Sequence, residues 1–228
     1  MSVTRLMNVM QFGDSVLPVG SFAFSNALES AVQEDVVRDP TSLAEYVGAC
    51  SHRAATADGI ALLEAHRGAR DHDSARVWRA DQAVVERKLD EEARTMTVRM
   101  GHKLGEVGVA AAEAPMLAGW LDSARDAATP GTYPVGLGVL FAELGSPETD
   151  AFAVHQYGVA MMTLSAALRL MRIDHCQVQA ILRETTRIAD DEYRAVRRAS
   201  LSDMASFTPL ADILAAIHLQ SHVRLFMA

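Results

Sequence analysis

Cysteine is scarce in this sequence of 228 residues, which contains only Cys50 and Cys176. Two isolated cysteines exclude a disulfide framework, a CxxC redox pair and a four-cysteine zinc site. This usage is typical of a reducing compartment, so we expect a cytoplasmic protein. Aromatic residues are also few, at 6%, while half of all residues are hydrophobic, and the core must therefore consist mainly of aliphatic side chains and methionine.

Basic residues are outnumbered, with 21 Lys and Arg against 29 Asp and Glu and a net charge of -8. This balance disfavours a protein that binds nucleic acid. The N-terminus lacks the pattern of a signal peptide, and we expect no secretion. Residues 151–168 carry no charged side chain, yet polar residues interrupt them, so we predict a buried helix rather than a membrane span.

Strand patterns are missing: no alternating runs of Val, Ile, Thr and aromatics are bounded by hairpin dipeptides. Ala, Leu, Met, Glu and Arg dominate instead, which predicts an all-α fold. Short loop signals and the absence of a linker indicate one compact bundle of about nine to ten helices, in a single domain over residues 1–228. The predicted helices are 4–12, 22–36, 42–69, 73–112, 116–127, 133–144, 148–171, 174–197 and 208–225.

Two local patterns refine this prediction. Ser42 followed by Glu45 resembles a capping box and predicts Ser42 as an N-cap. The charged run from Glu86 to Arg94 predicts a solvated helical segment, and a partner-binding face is the alternative.

Catalytic motifs are also missing. Gly136-Leu137-Gly138 and Gly101-His102-Lys103 lack the context of a phosphate-binding loop and indicate close helix packing. The hydrolase turn G-x-S-x-G does not occur, so we predict no catalytic residue.

One pair of residues could bind a metal ion. His218 and His222 stand four residues apart on one helix face, where Asp212 could complete a divalent-metal site, but a packed or surface histidine pair is the favoured interpretation. A helical metal-binding protein or metalloenzyme, and a helical regulator that binds a small molecule, therefore remain alternatives.

Four sequence blocks carry a resemblance to a known family. LMNVMQFGDSVLPVGSFAFSNALE, from Leu6 to Glu29, is similar to the opening of UreF urease accessory proteins, L-P-x-G-x-F-x-x-S-x-x-L-E. GTYPVGLGVLFAELG and YGVAMMTLSAALRLMRIDHCQVQAIL resemble the middle of that family, and FTPLADILAAIHLQSHVRLF resembles its C-terminal tail. The tail departs from the family pattern at Leu219, His222 and Val223, so its partner contacts could differ.

The resemblance implies a homodimer without a cofactor or a metal site of its own. Its implied partners are UreD (also called UreH), the GTPase UreG and the urease apoenzyme, which receives nickel. Its implied partner-binding residues are Pro18, Gly20, Phe22, Ser25, Glu29, Arg94, Tyr133, Gln177, His218, Arg224, Leu225 and Phe226. Turn formation and core packing remain the alternative for Pro18, Gly20, Phe22 and Phe226. Arg94, Arg99 and Arg224 are candidates for an arginine finger.

Overall fold

The computed structural model describes residues 2–205, 213–217 and 225–226. Within these residues the chain forms eleven α-helical segments and no strand, which confirms the all-α prediction. The segments are α1 (Val3–Gly13), α2 (Leu28–Gln33), α3 (Pro40–Ala54), α4 (Ile60–Arg70), α5 (Ser74–Glu86), α6 (Glu91–Ala111), α7 (Pro115–Arg125), α8 (Tyr133–Glu143), α9 (Glu148–Leu170), α10 (His175–Thr186) and α11 (Ala189–Val196). Residues 213–217 are also helical.

Helices α3 and α4 form one long rod, as the predicted helix over residues 42–69 anticipates. A π-helical turn at Ala55–Gly59 joins them. The N-cap, however, is Asp39 and not Ser42: the Asp39 carboxylate accepts a hydrogen bond from the Ser42 N–H at 2.8 Å. The Ser42 hydroxyl accepts from the Asp39 N–H at 3.1 Å, so Ser42 closes the capping box from within the first turn.

The predicted helix over 73–112 is wrong in its middle, because α5 ends at Glu86 and α6 begins at Glu91. Asp90 caps α6 by accepting the Ala93 N–H at 2.6 Å. In the same connection Lys88 turns inward to pair with Asp58 at 2.9 Å. The charged run from Glu86 to Arg94 therefore contains a break between two helices and is not one continuous solvated helix.

Two other predicted helices are also interrupted. Asn26 and Ala27 both have positive φ, at 52° and 60°, so α2 begins only at Leu28. The prediction over 174–197 divides into α10, which packs on one hydrophobic core, and α11, which packs on another. The chain turns between Thr186 and Ala189, and the two helices contribute side chains to different cores.

The first core surrounds α8, in which residues 134–141 are all buried. Helices α4, α5, α6 and α7 and the N-terminal half of α9 contribute its other side chains. Close helix packing, and not a phosphate-binding loop, accounts for Gly101 and Gly138. A Cβ on Gly138 would lie 2.5 Å from the Leu62 carbonyl oxygen, and one on Gly101 would lie 2.1 Å from that of Gly131.

The second core lies at the other end of the long helices. It joins α2, α3, α10 and the C-terminal half of α9, and it includes Leu214, Ala215 and Phe226 from the C-terminal part of the chain. The rod formed by α3 and α4 passes from the second core to the first, and so does α9. The π turn and His155 lie where the two cores meet.

Helix α9 is long and apolar enough to cross a membrane by length and composition alone. Of its most apolar window, however, 56% is buried inside the protein. This packing in both cores is typical of a core helix, in agreement with the prediction for residues 151–168.

Candidate partner-binding surface

Residues 22–29 and residues 225–226 meet at a surface next to the second core. Glu29, in α2, is 1% exposed, and its carboxylate accepts hydrogen bonds from the backbone N–H groups of Leu225 at 2.8 Å and Phe226 at 3.1 Å. A carboxylate that binds two consecutive N–H groups fixes the local direction of the chain. Glu29 therefore holds the C-terminal segment against the N-terminal region.

Arg169, near the end of α9, joins the same cluster. Its guanidinium carbon lies 4.6 Å from the ring centre of Phe22 and 4.1 Å from that of Phe226, within the range of cation–π contacts. Phe226 is buried, whereas Phe22 is 71% and Leu225 61% exposed. We call the surface formed by Phe22, Glu29, Arg169, Leu225 and Phe226 the terminal surface.

A cavity of about 190 Å³ extends from the terminal surface towards the junction of the two cores. Phe22, Arg169 and Phe226 line it at one end. Its walls are largely apolar and rich in methionine, a side chain that adapts to irregular shapes. The methionines are Met96, Met100, Met161 and Met162.

The inner part of the cavity is lined by charged and aromatic groups. The ammonium of Lys88 contacts both carboxylate oxygens of Asp58, at 2.9 and 3.1 Å. Burial alone would raise the pKa of Asp58, but Lys88 outweighs this effect and, with His155 and Arg53, keeps it below its usual value. Burial lowers the pKa of His155 to about 4, so the imidazole is neutral near pH 7.

Tyr133 begins α8 and lines the same cavity. Its ring stacks on His155 with 6.4 Å between ring centres, and burial raises the pKa of its phenol to about 12. At neutral pH, Tyr133 and His155 are both uncharged, whereas Asp58 and Lys88 form an ion pair in the same cavity.

The other predicted site residues occupy several different places. Pro18 and Gly20, with φ of 85° at Gly20, line a shallow depression against α6, whereas Ser25 is fully buried. Arg94 is exposed and its Nε donates to the Lys88 carbonyl at 2.7 Å. Gln177 caps α10 through its side chain, which accepts from the Asp174 N–H at 3.0 Å.

The predicted metal site, formed by His218, His222 and Asp212, lies outside the described residues. Arg224 also lies outside them. Within residues 2–205, 213–217 and 225–226, no three His, Cys, Asp or Glu side chains are grouped so that they could hold a metal ion.

Three structural features escaped the sequence prediction. Arg169 lies within the sequence block YGVAMMTLSAALRLMRIDHCQVQAIL but is not among the predicted partner-binding residues, although it is the first charged residue after the long uncharged stretch of α9. Asp58 and Lys88 are far apart in sequence and gave no pattern. The third feature is Asp81, which is buried on the apolar face of α5 between Val77 and Val84. An acidic residue on such a face indicates a buried hydrogen-bond network.

Comparison with known proteins agrees with the sequence blocks. The UreF family model matches residues 37–186. The chain belongs to the UreF family. Urease accessory protein UreF 2 of Brucella canis is 49% identical over 226 residues, which cover 99% of this chain and 93% of the relative. Urease accessory protein UreF of Yersinia enterocolitica is 44% identical over 226 residues, with 99% of each chain covered.

Membership of the UreF family gives the chain a role in urease maturation, together with other maturation factors. Among the described residues, Glu29 of the N-terminal motif contacts Leu225 and Phe226, the last two residues of the C-terminal motif, although Glu29 and Leu225 are 196 positions apart in the sequence.

Proposed function

We propose that this protein is a non-catalytic scaffold of urease maturation. In this proposal it binds UreD (UreH) and recruits the GTPase UreG to the urease apoenzyme, so that nickel reaches the urease active site. It acts in the cytoplasm as a homodimer, each copy forms one helical domain, and it requires no cofactor.

The terminal surface carries this proposal. Monomeric proteins bury most large apolar side chains, and an exposed apolar patch around an arginine is typical of a protein–protein interface. Phe22 is 71% exposed and contacts Arg169, and both residues line the apolar cavity. Leu225 is 61% exposed and precedes Phe226, whose ring also contacts the Arg169 guanidinium. A small substrate in the cavity would leave these exposed side chains in water, whereas a protein partner would cover them.

The geometry suggests different contributions from the predicted residues. Phe22 and Leu225 are accessible, so we assign them direct contacts with the partner. Glu29 and Phe226 are buried, so their contribution acts through the position of the C-terminal segment. Arg224 and His218 stay predicted contacts, on the resemblance alone.

The proposal is tested by co-elution of the protein with UreD and UreG on a size-exclusion column, in the presence of nickel and GTP. We expect one complex that contains all three proteins. Phe22→Ala should weaken the association with UreD by about fivefold or more, because truncation of an aromatic side chain in the centre of an interface commonly costs above about 1 kcal/mol. The variant should remain folded, since Phe22 is largely exposed.

Trp78→Ala provides the matched control. Trp78 is also an exposed aromatic residue, at 40%, but it lies in α5 and does not line the cavity. Its replacement should leave co-elution unchanged. Separate elution of the wild-type protein from UreD and UreG, when each partner is active, would contradict the scaffold function.

A further inference from the structure

Arg169 has N–H donors that no described residue accepts. Its guanidinium is in contact with the rings of Phe22 and Phe226, and cation–π contacts use its positive charge but none of its five N–H donors. Among the described residues, no hydrogen bond or ion pair involves Arg169. The side chain is also exposed to solvent.

We infer that Arg169 binds a carboxylate of the partner protein at the terminal surface. A guanidinium is a planar fork that matches both oxygens of a carboxylate, and the two rings already restrict its position. The side chain therefore loses little conformational freedom when the carboxylate arrives. This inference rests on the proposed function, because it gives the chemistry of the partner at the same surface.

The surroundings of Arg169 favour a protein carboxylate over a free anion or a lipid headgroup. Phe22 lies against the guanidinium and is exposed, and so is Leu225, which precedes the second contacting ring, Phe226. Phe22 and Leu225 would pack against apolar side chains next to the acidic residue of the partner. Water is then excluded from the ion pair, which strengthens the charge–charge interaction. The partner segment that fits is an Asp or Glu with apolar neighbours.

Two substitutions separate charge from packing. Arg169→Met keeps an unbranched apolar stem between the rings but removes the charge, and Arg169→Lys keeps the charge but removes the fork. Arg172→Met is the matched control, because Arg172 is an exposed arginine three residues further along the chain and makes neither ring contact. Thermal unfolding of each variant checks that it is folded.

The affinity of each variant for UreD is measured at about 50 mM and about 300 mM salt, since ion pairs weaken as ionic strength rises. We expect Arg169→Met to bind about thirtyfold more weakly at low salt and to lose most of the salt dependence. Arg169→Lys should lie between this variant and the wild type, and Arg172→Met should bind within about twofold of the wild type.

The outcomes distinguish the inference from the function on which it rests. If the wild type binds UreD and Arg169→Met binds equally well with the same salt dependence, the carboxylate contact is wrong and the scaffold function stands. If the wild type does not bind UreD, both are wrong. If Arg169→Met instead breaks a homodimer in light scattering and leaves UreD binding intact, a second copy supplies the carboxylate, which contradicts the inference.

Discussion

Asp81 illustrates how one residue can position a site from a distance. It is fully buried in α5, and its two carboxylate oxygens accept five hydrogen bonds. One oxygen accepts the Gly131 N–H at 2.8 Å, and the other accepts the Thr132 N–H at 2.8 Å. The remaining donors are the Trp120 indole and the Thr129 and Thr132 hydroxyls. Asp81 thus fixes the connection that leads into α8, directly before Tyr133.

We therefore predict that Asp81→Asn destabilises the protein. Each oxygen of Asp81 accepts a backbone N–H, so an amide in either orientation would place its NH₂ group against a donor. The free energy of unfolding should fall by about 2–4 kcal/mol, as expected for buried donors that lose their acceptor. The measurement is urea-induced unfolding followed by circular dichroism.

The control for this residue is Asp122→Asn, at a carboxylate whose side chain is 73% exposed and pairs only with Arg125 on the surface. Its effect should remain within about 0.5 kcal/mol. Equal stability of the two variants would show that the Asp81 network contributes nothing.

At the scale of helices, the sequence predicts that a helix is present better than it predicts where the helix is interrupted. Apolar periodicity and proline-marked starts identify α1, α7, α8 and α9 to within a few residues of their observed bounds. The break after α5 was missed because one of its causes is tertiary: Lys88 leaves the helical path to reach Asp58, some 30 residues away in the chain. The other cause, the Asp90 N-cap, is local but lies inside a charged run that was interpreted as one helix. The sequence predicts only part of the terminal surface. Its two motifs are visible in sequence, but the Arg169 contacts depend on the fold.

The Asp58–Lys88 pair gives a prediction for this break. Their side chains are only 19% and 12% exposed, so Lys88→Met leaves a carboxylate that is both buried and without its ammonium. We expect a loss of about 2–4 kcal/mol in unfolding free energy, as for other buried pairs that lose one partner. Lys103→Met, at a 56% exposed lysine paired with Glu106, should change stability by less than about 0.5 kcal/mol. A loss for Lys88→Met as small as that of this control would mean that the pair does not clamp the connection.

At the scale of the whole molecule, two hydrophobic cores share their longest helices. The rod of α3 and α4 and the single helix α9 each place side chains in both cores. If one core unfolded alone, it would remove half of each shared helix from its packing and would open the cavity at the junction. We therefore expect the two cores to unfold together, which agrees with the single domain predicted from the sequence.

Tryptophan fluorescence tests this coupling, because the only two tryptophans, Trp78 and Trp120, lie in α5 and α7 of the first core region. Leu164→Ala removes a fully buried side chain from the second core and should cost about 2–5 kcal/mol. If the cores are coupled, Leu164→Ala lowers the urea midpoint measured by fluorescence as much as the midpoint measured by circular dichroism, although no tryptophan lies in the second core. With independent cores, Leu164→Ala leaves the fluorescence midpoint at its wild-type value and splits the dichroism curve into two transitions. Leu140→Ala, in the first core, is the matched variant and should shift both midpoints together when the cores are coupled.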